Sequence, residues 1–180
     1  MPMLFFIDDI SPVYLHTDAS DYGIGAYLFQ VRDGIEYPIG FLSRKLHGAE
    51  LNWTTYEKEG YAIHEAVKKF EYLLRDIKFV LRTDHRNLLF LNRPEASQKV
   101  MRWKMNIQSF NFEVEHIPGK DNLVADFASR LVSASNSKEV NTLIKDIGQP
   151  SKFLSAIQYG KNKSNFNPDD IIQTCHNSTV

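Results

Sequence analysis

Four acidic residues, Asp18, Glu59, Asp84 and Asp126, fall in segments that read as strand, helix, strand and helix. Each stands in a short context that suits a carboxylate turned towards the other three. Like charges repel and raise one another's pKa, so carboxylates converge only around a partner. A cage of oxygen ligands suits a hard divalent cation, magnesium or manganese. Two such ions side by side support in-line cleavage of a phosphodiester bond.

Each residue also has a plainer role open to it. Asp18 closes the stretch 13–18 (VYLHTD), on which Tyr14, His16 and Asp18 share one face and Val13, Leu15 and Thr17 the other. It could instead cap the turn before Ala19 and Ser20. In the helical stretch 54–74, Ile63, Ala66 and Phe70 fall within roughly 40° of Glu59 at about 100° per residue. Glu59 therefore shares the buried face, where an unpaired charge is expensive, whereas Glu57 points elsewhere. A metal or a Lys or Arg across the core would satisfy it. Asp84 ends a strand in Thr-Asp, as Asp18 does, and also precedes an expected helix, which it could cap. Asp126 sits among Val124, Ala125 and Phe127, an apolar setting for a charge; its competitor, Asp121, suits a cap or turn. His116, ten residues before Asp126, ends a strand. It could move protons at the mouth of a metal site or be a surface histidine.

The elements that must position these groups follow from periodicity. Residues 13–18, about 25–31 and 35–43 read as an antiparallel meander, with Arg32, Asp33 and Gly34 at a hairpin turn. Residues 54–74 carry a helical repeat, with Thr54 or Thr55 as N-cap. A fourth strand is expected at 78–84, short helices at 85–91 and 97–108, a fifth strand at 110–117 and a last helix at 121–131. Beyond Leu131 the chain turns rich in Ser, Asn and Lys, with weak helical signals at 138–147 and 168–175.

The 180 residues are 43% hydrophobic and carry a net charge of −1, so any nucleic-acid surface must be a local patch. One stretch qualifies: Arg75, Lys78, Arg82, Arg86, Arg93, Lys99, Arg102 and Lys104 face only Asp76, Asp84 and Glu95 in sequence. Ordinary helix surface charge would look the same. Cys175 is the one cysteine, which suits a reducing, intracellular setting. No apolar run is long enough to span a bilayer, and the first residues lack the features of a signal peptide.

Several strings together resemble the type 1 ribonuclease H domain of reverse transcriptases, in particular that of gypsy-type LTR retrotransposons. They are Leu15-His16-Thr17-Asp18-Ala19-Ser20 with Gly23-Ile24-Gly25-Ala26, Tyr56-Glu57-Lys58-Glu59-Gly60-Tyr61-Ala62-Ile63, Leu81-Arg82-Thr83-Asp84-His85, Arg102-Trp103, and Ile117-Pro118-Gly119-Lys120-Asp121-Asn122 through Ala125-Asp126-Phe127-Ala128-Ser129-Arg130. The resemblance covers about residues 4–131. It implies an α/β, ribonuclease-H-like fold: a five-stranded mixed sheet, three strands antiparallel plus two parallel, flanked by helices. It places Asp18, Glu59, Asp84 and Asp126 around two Mg²⁺ or Mn²⁺ ions and makes RNA·DNA hybrid the substrate. His116 falls where related enzymes carry a mobile His; many gypsy-type members have Tyr there. His85, Arg86, Asn87, Arg102 and Lys104 are the expected substrate contacts. A silent, hybrid-binding or structural module is the alternative, although such modules typically lose the carboxylates.

The implied organisation is a lead-in from the reverse transcriptase at 1–12, the ribonuclease H domain at 13–131, a linker at 132–151 and a tail at 152–180. Phe6-Ile7-Asp8-Asp9 is similar to a polymerase palm motif but reads as that lead-in. Ile171 to Ser178 resembles the start of an integrase zinc-binding module, with His176 as its first ligand and the remaining ligands past Val180. The expected partners are the polymerase and integrase parts of one polyprotein, with no membrane. The expected location is intracellular, in a cytoplasmic particle or the nucleus.

Overall fold

A computed structural model of the chain describes residues 5–84 and 97–133. The alternating stretches form β1 (Val13–Ala19), β2 (Gly23–Arg32), β3 (Ile35–Lys45), β4 (Lys78–Thr83) and β5 (Asn111–His116) in one sheet of order β3-β2-β1-β4-β5. β1, β2 and β3 pair antiparallel, and β1, β4 and β5 pair parallel. Asp33 and Gly34 take positive φ values of 51° and 76°, as a tight β2–β3 hairpin demands. After the β1–β2–β3 meander the chain crosses through helices before β4, which lets β4 lie parallel beside β1. β2 and β3 run longer than the sequence suggests, because their ends keep pairing past the apolar alternation, to Gly23↔Lys45 and Arg32↔Ile35.

The register decides where the site lies. Thr17 pairs with Thr83, so the next residues, Asp18 and Asp84, come side by side at the same end of the sheet, with Asp18 still paired to Gly25 of β2 and Asp84 just past the end of β4. Thr83 in turn pairs with His116.

The α-helices among the described residues are α1 (Thr55–Lys69), α2 (Glu71–Leu74), α3 (Gln98–Ile107) and α4 (Leu123–Leu131). Thr54 caps α1 in a reciprocal capping box with Glu57. The single helix expected over 54–74 breaks at Phe70, whose backbone leaves the helical region (φ −99°, ψ 15°) while its ring seats on Gly40 of β3. The helix expected over 121–131 begins later: residues 119–121 form a 3₁₀ turn and α4 starts at Leu123. A 3₁₀ turn at Gly48–Asn52 had no periodic signature; its Glu50 accepts from the His47 N–H and pairs with Arg44. The expected helices at 85–91, 138–147 and 168–175 lie outside the described residues, as do the tail and most of the linker.

Leu15, Ala26, Leu28 and Leu81 of the sheet pack with Ala62, Ala66 and Phe70 from the α1 side, all at most 4% exposed. Strand alternation turns Gly25 to the other face, where α4 packs. A Cβ at Gly25 would lie 2.3 Å from the Ala125 carbonyl oxygen, so only glycine lets α4 come this close. The lead-in is stitched on as well: Phe5 N–H donates to the Pro38 carbonyl, and Asp8 pairs with Arg32. No helix among the described residues is long and apolar enough to cross a membrane.

Candidate metal centre

Three carboxylates meet at the carboxyl end of β1 and β4. Asp18, Glu59 and Asp84 each offer an oxygen, and these oxygens lie within 4.8 Å of one another. Asp18 arrives from the end of β1, Glu59 from the second turn of α1 and Asp84 from the residue after β4. Asp18 and Glu59 are buried, at 5% and 7% exposure. The three line one cavity of about 560 Å³, together with Asp126 and Arg130 of α4, Lys58 of α1 and the turn Ala19–Tyr22. The fourth expected ligand, Asp126, thus faces the same space, but its Oδ1 is held by the Arg130 guanidinium at 2.7–2.8 Å.

The electrostatics suit a group of residues that could hold a cation. Burial, and then the charges of Asp126 and Asp84, push the Asp18 carboxyl up to about 6 against the pull of a Ser129 hydrogen bond. Burial, with Asp18 and Asp84 nearby, pushes Glu59 well above the usual carboxylate range, and the Ala19 N–H opposes this. Asp126 is raised by burial while Arg130 pulls it down. Glu59 Oε2 is buried with no hydrogen-bond partner among the described residues. An orphaned, buried carboxylate oxygen beside two more carboxylates matches the oxygen-donor set of a hard divalent ion.

Two residues that periodicity did not single out support this geometry. Ser129 Oγ donates to Asp18 Oδ2 at 2.6 Å. Asn122, fully buried ahead of α4, donates from Nδ2 to the Thr17 carbonyl at 2.9 Å, tying α4 to β1 beside Asp18. Ser129 stands three residues after Asp126, on the same helix face, and that spacing was the available signal. The His116 ring nitrogen Nε2 lies 2.9 Å from the Asp84 carbonyl oxygen, next to the triad but exposed.

The expected substrate contacts divide. His85, Arg86 and Asn87 lie outside the described residues. Arg102 is exposed on α3, whereas Lys104, on the same helix, is buried and does not line the carboxylate cavity. Within the basic stretch, Arg75, Lys78, Arg82 and Lys99 pair with Glu71, Glu113, Glu115 and Glu57. Those four act as surface ion pairs in this structure, the plainer of the two roles open to them.

Residues 8–110 match the family described as the RNase H-like domain found in reverse transcriptase. The Tf2-3 and Tf2-4 transposon polyproteins of Schizosaccharomyces pombe are each 39% identical to the chain over 137 residues, which is 73% of the chain and 10% of the polyprotein. The chain therefore spans about a tenth of the length of these curated relatives. The foamy viral protease-reverse transcriptase solved with RNA/DNA hybrid superposes with a TM-score of 0.50 at 20% identity, covering 63% of this chain and 16% of that one. The same protein with double-stranded DNA gives 0.51 at 20% identity, covering 63% and 25%. At such identity the likeness is one of fold, and it agrees with the mixed five-stranded sheet. With the family match running through β1, α1 and β4, the three elements that bring the carboxylates together, the chain belongs to the RNase H-like domain family found in reverse transcriptases.

Proposed function

We propose that this domain is a divalent-metal-dependent endonuclease that hydrolyses the RNA strand of RNA·DNA hybrid during reverse transcription. The observation that carries this reading is the convergence of Asp18, Glu59 and Asp84 within 4.8 Å in a cavity wide enough for a backbone phosphate. When bound, paired Mg²⁺ or Mn²⁺ ions supply an activated water and stabilise the departing 3′ oxygen, giving a 5′-phosphate and a 3′-hydroxyl.

The chain's own groups set the stage for that step. Asp18, Glu59 and Asp84 present oxygens at fixed positions, so little reorganisation is needed when charge develops. The Ala19 N–H engages the Glu59 carboxylate and leaves Oε2 free to ligate. Ser129 holds one Asp18 oxygen and keeps the carboxylate aimed. Asp126 completes the acidic set when its carboxylate leaves Arg130. His116, poised on the Asp84 backbone, is placed to take or give a proton at the rim. Hybrid is selected by helix shape and by 2′-hydroxyl contacts, not by base sequence. His85, Arg86, Asn87 and Arg102 contribute to the phosphate path.

In this reading residues 1–12 connect to the polymerase part of a polyprotein, and 132–180 lead through a linker towards an integrase part. The work is done inside the cell, in a particle or the nucleus. The foamy viral relative of this fold is described in complex with RNA/DNA hybrid, which supports the choice of substrate. A gel assay on labelled hybrid with Mg²⁺ or Mn²⁺ tests the proposal. The chain should cleave, and the double variant Asp84→Asn, Asp126→Asn should not. Binding without cleavage by the wild-type chain would favour a silent module, and cleavage that survives in the double variant would refute the assignment.

A further inference from the structure

The cavity has an end that the metal chemistry does not use. Away from the carboxylate triad it is walled by Lys58, Thr55 and the turn residues Asp21 and Tyr22. Lys58 is 6% exposed, although an ammonium is among the costliest groups to bury. Among the described residues its Nζ has one close acceptor, the Asp21 carbonyl oxygen at 3.2 Å. The Asp21 carboxylate stands off at 3.8 Å and is itself 89% exposed. An ammonium has three N–H donors, so two have no close acceptor among the described residues while the side chain lines the cavity. Thr55 beside it opens α1, whose first turn turns backbone N–H groups to the same end. Glu57, the one acid in that turn, is engaged by Thr54 and Lys99. Tyr22, 59% exposed at the lip, offers a flat apolar face.

We propose that Lys58 is a substrate-binding residue that grips one phosphate of the RNA strand next to the phosphate being cleaved, with Tyr22 packed on the neighbouring ribose. This rests on the nuclease reading and adds to it a positive contact that sets the register of the strand over the carboxylates. Lys58 and Glu59 are consecutive on α1 and both engage the turn after Asp18, Lys58 at the Asp21 carbonyl and Glu59 at the Ala19 N–H. The phosphate grip and the metal ligands therefore share one rigid frame, which is what positioning a reactive phosphate requires. A phosphate oxygen supplies the acceptor that the buried ammonium lacks, as a charge-assisted hydrogen bond.

The test is a scan of hybrids that each carry one neutral methylphosphonate at a different RNA-strand position. Binding in Ca²⁺ and cleavage in Mg²⁺ are measured for the wild-type chain and for Lys58→Met, which keeps the apolar stem. Neutralising one particular phosphate should weaken wild-type binding about tenfold, the equivalent of one charged hydrogen bond. In Lys58→Met that penalty should vanish at this position and persist elsewhere, and the slope of log K on log salt should fall by about one. A variant that only loosens the turn would lower binding equally at every position. Additive losses at all positions in a folded Lys58→Met chain, or no hybrid binding by the wild type, overturn the proposal. Cleavage on the same samples reports separately on the nuclease reading: coupling in binding with no wild-type cleavage would sink the nuclease and keep the subsite.

Discussion

Asp18 shows what the site costs the fold. Its carboxyl ionises only near 6 inside the domain against 3.8 ordinarily, so the folded state holds the proton more tightly than the unfolded chain does. The stability this group contributes is complete below about pH 4 and is lost as pH rises through 6. Glu59 is shifted in the same direction. The carboxyls that are lowered, Glu50, Glu57 and Glu65 among them, give stability that is complete above their ordinary 4.5 and fades only as pH falls below it, so they do not tilt this window. The metal-free chain should therefore melt at a lower temperature at pH 7.5 than at pH 5.5, with Asp18 alone accounting for about 1 kcal/mol and Glu59 adding in the same direction. Asp18→Asn should flatten that slope, raise the metal-free melting temperature at pH 7.5 and abolish cleavage. A melting temperature that rises from pH 5.5 to 7.5 would contradict the buried, unneutralised cluster. Ser129→Ala removes the donor that eases Asp18 ionisation, so half-saturation at pH 7.5 should need about tenfold more Mg²⁺. An unchanged requirement would mean that Ser129 only packs. Among these residues, the approach of Asp18, Glu59 and Asp84 was legible because each stands near one end of an element whose period places it, whereas the part Asp126 plays is a proposal. Asp84 and Asp18 could even be paired in advance from their shared Thr-Asp ending. Ser129, Lys58 and Arg130 were not assigned roles, because a hydroxyl or cation on a helix gains meaning only from what faces it. For Lys104 the sequence shows the charge and not the burial.

At the scale of elements, the site depends on α4 lying close on the sheet. Gly25 permits this contact, and Asn122 and Ser129 fasten it to β1. Gly25→Ala would drive a methyl into the α4 backbone and should cost at least about 2 kcal/mol, seen as a lower urea midpoint. Cleavage should fall further than stability alone explains, since Asp126 and Ser129 move with the helix. A midpoint unchanged by this substitution would show that α4 does not sit where the structure puts it. The order and type of the elements were readable from period and turn chemistry, including the Asp33-Gly34 hairpin. Their ends were less so. The break at Phe70 comes from a ring seeking Gly40 across the sheet, and the late start of α4 comes from Asn122 bonding β1; both are long-range causes that a local pattern does not carry.

For the molecule as a whole, the proposed function makes the acidic cluster a destabilising feature that a bound cation would turn into a stabilising one. Any ligand that binds only the folded state adds RT ln(1 + [L]/Kd), about 2.7 kcal/mol at a hundredfold excess over Kd. Saturating Mg²⁺ at pH 7.5 should therefore raise the melting temperature by several degrees, and Asp84→Asn with Asp126→Asn should erase most of that gain. The mixed sheet and the meeting of distant acids at one edge were foreseeable once the strings were taken together, because the parallel pairing of β1 and β4 leaves their Thr-Asp ends side by side. The proposed place in a longer polyprotein rests on sequence likeness to polyproteins of which the matched stretch is 10%. The most direct measurement is anomalous diffraction from crystals of the chain grown with saturating Mn²⁺. The account expects a manganese peak at bonding distance from oxygens of Asp18, Glu59 and Asp84, joined by a second when hybrid is bound. Well-ordered carboxylates with no anomalous density between them would contradict it.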